Sequence, residues 1–195
     1  MIGPDTARID ALRKLWQKET KHLEHPELLE RSASIAAVVA GETDTSVTNL
    51  SSIVFVARYG GRTMLLTGDA RGDYIVDGLE RAGFLRNGPA KLDVVKLQHH
   101  GSARNTDEKF FSTVLADHYV ISANGKYGNP DPATFDALVA ARGPTGYRVW
   151  MTNGGPETAL APLVEGVRAT YPKLDLRVRP RTRRSLLLNL GDEPA

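Results

Sequence analysis

The residues best suited to chemistry sit where apolar, strand-like runs stop. Leu65-Leu-Thr-Gly-Asp-Ala70 ends such a run on a carboxylate, Asp69, with Gly68 letting the backbone turn closely beneath it. Val94-Val-Lys-Leu-Gln-His-His-Gly-Ser102 ends the next on two adjacent imidazoles, His99 and His100. Neutral imidazole is the commonest metal ligand near pH 7 and the commonest general base, and a carboxylate serves beside it in either role. Each cluster also has a plainer reading. Asp after Gly is frequent turn chemistry, and a histidine pair can be one stacked ring and one solvated one. On an extended chain neighbouring side chains point opposite ways, so only one of His99 and His100 is expected to reach a given centre. A third polar cluster, Ser122-Ala-Asn-Gly-Lys-Tyr-Gly-Asn-Pro-Asp-Pro132, leaves a later run in the same sense, and Asn124, Lys126 and Asn129 are candidates to line a pocket.

The elements that must position these residues follow from periodicity and turn signals. Residues 5 to 24 read as an amphipathic helix with Asp5 as N-cap and Ile9, Leu12, Leu15, Trp16 and Leu23 on one face. Residues 32 to 49 give no clear assignment. Residues 52–58 and 63–67 flank Tyr59-Gly-Gly-Arg62, a two-residue hairpin signal. After that, helices (73–85, 107–115, 132–141, 157–171) alternate with strands (92–97, 119–122, 147–151, 174–178), and a last strand is expected over 185–190. This alternation predicts an α/β fold, a mixed sheet with covering helices, whose strand ends share one edge where sites are built.

Composition narrows the chemistry further. A chain of 195 residues, 41% hydrophobic and 25% charged, suits one soluble domain. No run is apolar and long enough to span a membrane, and nothing marks export, so a cytoplasmic location is expected. With no cysteine, any metal must be held by nitrogen and oxygen. The net charge of +2 carries no global signal for nucleic acid. Locally, Arg177-Val-Arg-Pro-Arg-Thr-Arg-Arg184 places five arginines in eight residues. Such a run either solvates a sheet edge or meets phosphates.

Taken in order, Asn49-Leu-Ser-Ser52, Leu65-Leu-Thr-Gly-Asp69, Lys96-Leu-Gln-His-His-Gly-Ser102 and Tyr127-Gly-Asn-Pro130 resemble metallo-β-lactamase-fold hydrolases over roughly residues 45 to 140. The branch most like it includes the C-terminal domain of ComEC DNA-uptake proteins. The resemblance implies that Asp69 bridges two metal ions, zinc or manganese. His99, or alternatively His100, is a terminal ligand, and Ser102 orders the turn or meets substrate. Asn129 stands where many relatives carry histidine. The family's His-x-His-x-Asp-His motif has no counterpart here, since the only upstream histidines, His22 and His25, fall on or just after the first helix. Met1-Ile-Gly-Pro4 resembles a sequence that follows a strand midway through relatives. The resemblance therefore implies one partial domain over 1–195, with a helical lead-in over 1–44 and a β/α half over 45–195, the C-terminal half of an αββα sandwich. It implies a metal-dependent hydrolase, of phosphodiester or nucleic-acid substrates by analogy, that is inactive until an N-terminal half completes it or that otherwise self-associates. The alternative is a non-catalytic binding module that keeps the half-fold.

Overall fold

A computed structural model describes residues 1–23 and 43–191. Helix α1 (Thr6–Leu23) begins at Asp5, whose Oδ1 accepts the Arg8 N–H at 3.0 Å, as the N-cap pattern requires. His22 falls in its last turn, and His25 lies outside the described residues. A one-turn helix α2 (Val47–Leu50) leads into strand β1 (Phe55–Tyr59). Gly60 and Gly61, at φ 55° and 80°, make the left-handed two-residue turn into β2 (Arg62–Leu66), as the Gly-Gly pair predicts. Then follow α3 (Gly72–Arg81), β3 (Ala90–Lys96), α4 (Glu108–Thr113), β4 (Val114–Ile121), α5 (Pro132–Arg142), β5 (Arg148–Met151), α6 (Ala161–Thr170) and β6 (Asp175–Val178).

The six strands form one mixed sheet in sequence order, antiparallel between β1 and β2 and parallel from β2 to β6. This is the α/β architecture with covering helices that the alternation predicts. Leu65, Val95, Tyr119, Val149 and Leu176 lie side by side across five strands, all buried. They belong to one cluster with Ile75 and Leu79 of α3, Phe110 and Phe111 of α4, Phe135 and Leu138 of α5, and Val164 and Val167 of α6. Four helices therefore pack on the same face, the outcome of sequential parallel crossovers of one hand. Each large side chain so buried stabilises the fold by roughly 1.5–3 kcal/mol. On the opposite face, Met64, Leu66, Val120 and Trp150 are half-buried.

One expected element is absent. Residues 185–190 form no strand. The β-branched residues and partner that would extend the sheet are missing there: β6 is its last strand, and Leu187 stands 80% exposed.

Candidate functional site

Because β2 through β5 run parallel, their C-terminal ends face the same side. Thr67-Gly-Asp69 follows β2, Leu97-Gln-His-His100 follows β3, Ser122-Ala-Asn124 follows β4 and Thr152-Asn153 follows β5. A cleft of about 500 Å³ opens at this edge, lined by Asp69, His99, His100, Asn124, Tyr127, Asn129 and Asn153 together with Ser122 and Ala123. Open parallel sheets bind ligands in this place, outside the carboxyl ends of their strands.

The two histidines do not continue an extended chain. They sit in a left-handed turn, His99 at φ 44°, ψ 45° and His100 at φ 59°, ψ 22°. The alternation argument fails here for that reason, and both rings line the cleft, their centroids 6.3 Å apart. Two consecutive left-handed residues that are not glycine cost on the order of 1 kcal/mol or more each. The surroundings force the turn. The His99 N–H donates to the Gly68 carbonyl at 3.1 Å, and the Asn129 amide donates to the His99 carbonyl at 3.0 Å. Thr134 Oγ1 donates to the Gly101 carbonyl at 2.7 Å. Gly101, at φ 84°, lies so near Pro130 that a Cβ would come within 2.8 Å of the proline ring.

Their hydrogen bonds fix the tautomer of each ring. His99 Nδ1 lies 3.1 Å from Asp44 Oδ2 and 3.0 Å from Asn105 Oδ1, both acceptors. Asn105 is oriented by its Nδ2, which donates to Asp44 Oδ2 at 2.9 Å and to the Asp69 carbonyl at 3.1 Å. His100 Nδ1 lies 2.5 Å from the Ser122 carbonyl. A proton on Nδ1 satisfies each ring and leaves both Nε2 atoms with a lone pair. His100 Nε2 stands 4.0 Å from Asp69 Oδ1.

Asp44 is the hub of this arrangement. It is only 6% exposed, and its carboxylate also accepts from Asn49 Nδ2 at 2.9 Å and the Ser46 N–H at 2.8 Å. Burial works to raise its pKa. The hydrogen bonds from Asn105, Asn49 and Ser46 outweigh burial and hold the group below the ordinary carboxylate value. Beside the cleft, burial draws the Lys96 ammonium below its usual range against the opposing pull of Asp69, and its Nζ donates to the Leu97 carbonyl at 3.0 Å.

The donor types fit a zinc or manganese ion: a carboxylate, and imidazoles whose other nitrogens are held by side-chain or backbone oxygens as those of ligating histidines are. Two ligands of one tetrahedral zinc sit roughly 3.3–3.5 Å apart, so Asp69 Oδ1 and His100 Nε2 would need to close by about half an ångström. The number of donors is short. Among the described residues no three acidic or histidine side chains come together in a metal-binding group. The structure brings Asp69, His99, His100, Asn124 and Asn129 to one cleft. It does not bring Ser102, which is buried and whose Oγ accepts the Arg104 N–H, or Lys126, whose ammonium stands 5.0 Å from the Tyr127 ring centre. Sequence reading missed Asp44, Asn105, Tyr127 and Asn153. Asn153 had the same strand-end signal as Asp69, whereas Asp44 lies in a stretch with no periodicity to place it.

Comparison with known proteins finds no family model, no curated protein and no solved structure that matches the chain. The fold and cleft therefore define a class on their own geometry, an α/β domain with a carboxylate–imidazole cleft at the C-terminal edge of its parallel strands.

Proposed function

We propose that the chain carries half of a metal-dependent hydrolase site of the metallo-β-lactamase kind, acting in the cytoplasm, with Asp69 and the His99–His100 pair as its ligands. The observation that carries this reading is the convergence of one carboxylate and two strained, Nδ1-anchored imidazoles on a single cleft. Asp69 and His100 would hold the cation, with His99, fixed through Nδ1 by Asp44 and Asn105, as a further donor lining the same cleft. Asn129 braces the turn, and Asn124 keeps its amide N–H groups for a substrate oxygen. A bound zinc or manganese ion would lower the pKa of its water towards neutrality and polarise the scissile carbonyl or phosphoryl group.

Among the described residues no three acidic or histidine side chains gather closely enough to hold one ion, whereas a catalytic zinc usually has three protein ligands, so on this reading a second half would supply further donors. In the complete site two ions would be held. The sheet face bearing Met64, Leu66, Val120 and Trp150 is where that half would pack, and without it we expect self-association in sedimentation. A non-catalytic binding module is the second reading, favoured by the same shortage of donors. The two separate in one experiment. DNA upstream of the Met1 codon is read for an in-frame His-x-His-x-Asp-His segment, and the extended chain is assayed for metal content and phosphodiesterase activity. Manganese- or zinc-dependent turnover that Asp69→Asn abolishes supports the hydrolase. Metal-free, inactive extended protein supports the binding module.

A further inference from the structure

Lys96 is the last residue of β3 and stands on the sheet face away from the helices, at the end of the strand nearest the cleft. Register places it between Leu66 of β2 and Val120 of β4, and Trp150 of β5 follows Val120 in the same row. All four side chains are half-buried. A lysine on such a surface ordinarily lays its stem over the apolar groups and carries its ammonium out to water. Lys96 does not. Its Nζ turns back and donates to the Leu97 carbonyl at 3.0 Å, on the backbone of its own neighbour. Among the described residues no carboxylate comes within ion-pair distance of this nitrogen. Arg62, Arg148 and Arg177, on the same sheet, each meet an aspartate.

The other charged or titratable groups of this face stand further off. His118 lies one row down on β4, with the Arg148–Asp175 pair beyond it, and Arg177 ends the Lys96 row on β6. Asp69, past the end of β2, is the group whose charge reaches Lys96 and favours its ammonium. Burial opposes that charge and prevails. An ammonium with one neutral acceptor and no counter-ion is costly among apolar side chains, and losing the proton removes the cost. The neutral amine keeps its hydrogen bond to Leu97 and gains a lone pair. Desolvated lysines are the ones that form imines with carbonyl compounds.

We infer that Lys96 is a covalent attachment site for a small aldehyde, seated between Leu66 and Val120 at the cleft end of the sheet. The amine lone pair attacks the carbonyl carbon, the carbonyl oxygen leaves as water with both amine protons, and a C=N bond replaces the C=O bond. No metal takes part, so the inference goes beyond the hydrolase reading and is tested apart from it.

The test treats the whole chain, in EDTA at neutral pH, with acetaldehyde and cyanoborohydride, which delivers hydride to the imine carbon and fixes the adduct as a secondary amine. Peptide mass spectrometry reads the adduct at each lysine. Lys96 should be labelled about threefold or more faster than the exposed Lys91, Lys109 and Lys173 of the same molecule. A second measurement separates basicity from access. With trace acetic anhydride, the ratio of Lys96 to reference labelling should rise about threefold between about pH 10 and pH 7, because an amine of lower pKa loses less of its free form over that range. Restricted access alone changes the ratio equally at every pH. Asp69→Asn removes the charge that favours the ammonium and should raise Lys96 labelling near pH 7 by about twofold. A ratio that stays flat with pH, an aldehyde adduct no faster at Lys96 than at the reference lysines, or slower labelling in Asp69→Asn overturns the inference.

Discussion

Replacing His100 by Gly and, separately, by Ala isolates the strain stored in the histidine turn. Both variants lose the imidazole and its bond to the Ser122 carbonyl, so those losses cancel in the comparison. What remains is the backbone at φ 59°, ψ 22°. At an ordinary position Ala is the more stable by about 0.5–1 kcal/mol, because Gly has more conformational freedom to lose on folding. In the left-handed region Ala instead carries a steric cost of roughly 1–2 kcal/mol that Gly escapes. The difference favours Gly by about 0.5–1 kcal/mol, the reverse of the usual order. With a urea slope of about 2 kcal/mol/M, the Gly midpoint should lie roughly 0.3–0.5 M above that of Ala. An Ala variant as stable as Gly, or more so, would refute the claim that the turn is strained.

Three further outcomes follow from named contacts. Asp44→Ala leaves four donors without their acceptor and should destabilise the fold by about 2–4 kcal/mol in urea unfolding; a loss below about 1 kcal/mol would remove Asp44 as the hub. The Asp44 carboxyl is held below its ordinary value of 3.8, so its contribution is full above that pH and is lost as pH falls through the lower folded value. Asp44→Asn should therefore flatten the acid limb of stability against pH, and an unchanged limb would contradict the assignment. His118 is buried, and its Nδ1 accepts the Trp150 indole N–H at 3.1 Å. Burial, aided by Arg148, pushes its pKa below 6.5, so the unfolded chain takes up the proton first and stability should decline as pH falls below about 6.5. Thermal unfolding between pH 7 and 5 should show this decline reduced in His118→Gln.

The hairpin, the alternating helices and strands, and the three strand-end clusters were legible because each rests on local signals: Gly-Gly, apolar runs, and glycines beside polar residues. Parallel pairing then brought Asp69 and the histidines together without further information. What stayed hidden depends on contacts between distant residues. Nothing near Asp44 in sequence announces that it meets His99, 55 positions away. The reach of both histidines depends on a left-handed turn imposed from outside by Gly68, Asn129 and Thr134, against their own backbone preference. The 185–190 run is apolar but carries no β-branched residue, and it pairs with no strand.

The proposed site depends on Asp69 and His100 sharing a cation in this cleft. The most direct test follows the histidine ring nitrogens by NMR while zinc is titrated into the chain, into Asp69→Asn and into His100→Ala. Weak binding should shift His100 Nε2, leave its Nδ1 protonated, and be lost in both variants. Zinc that leaves the His100 ring unshifted, or that binds Asp69→Asn as it binds the parent, would contradict it.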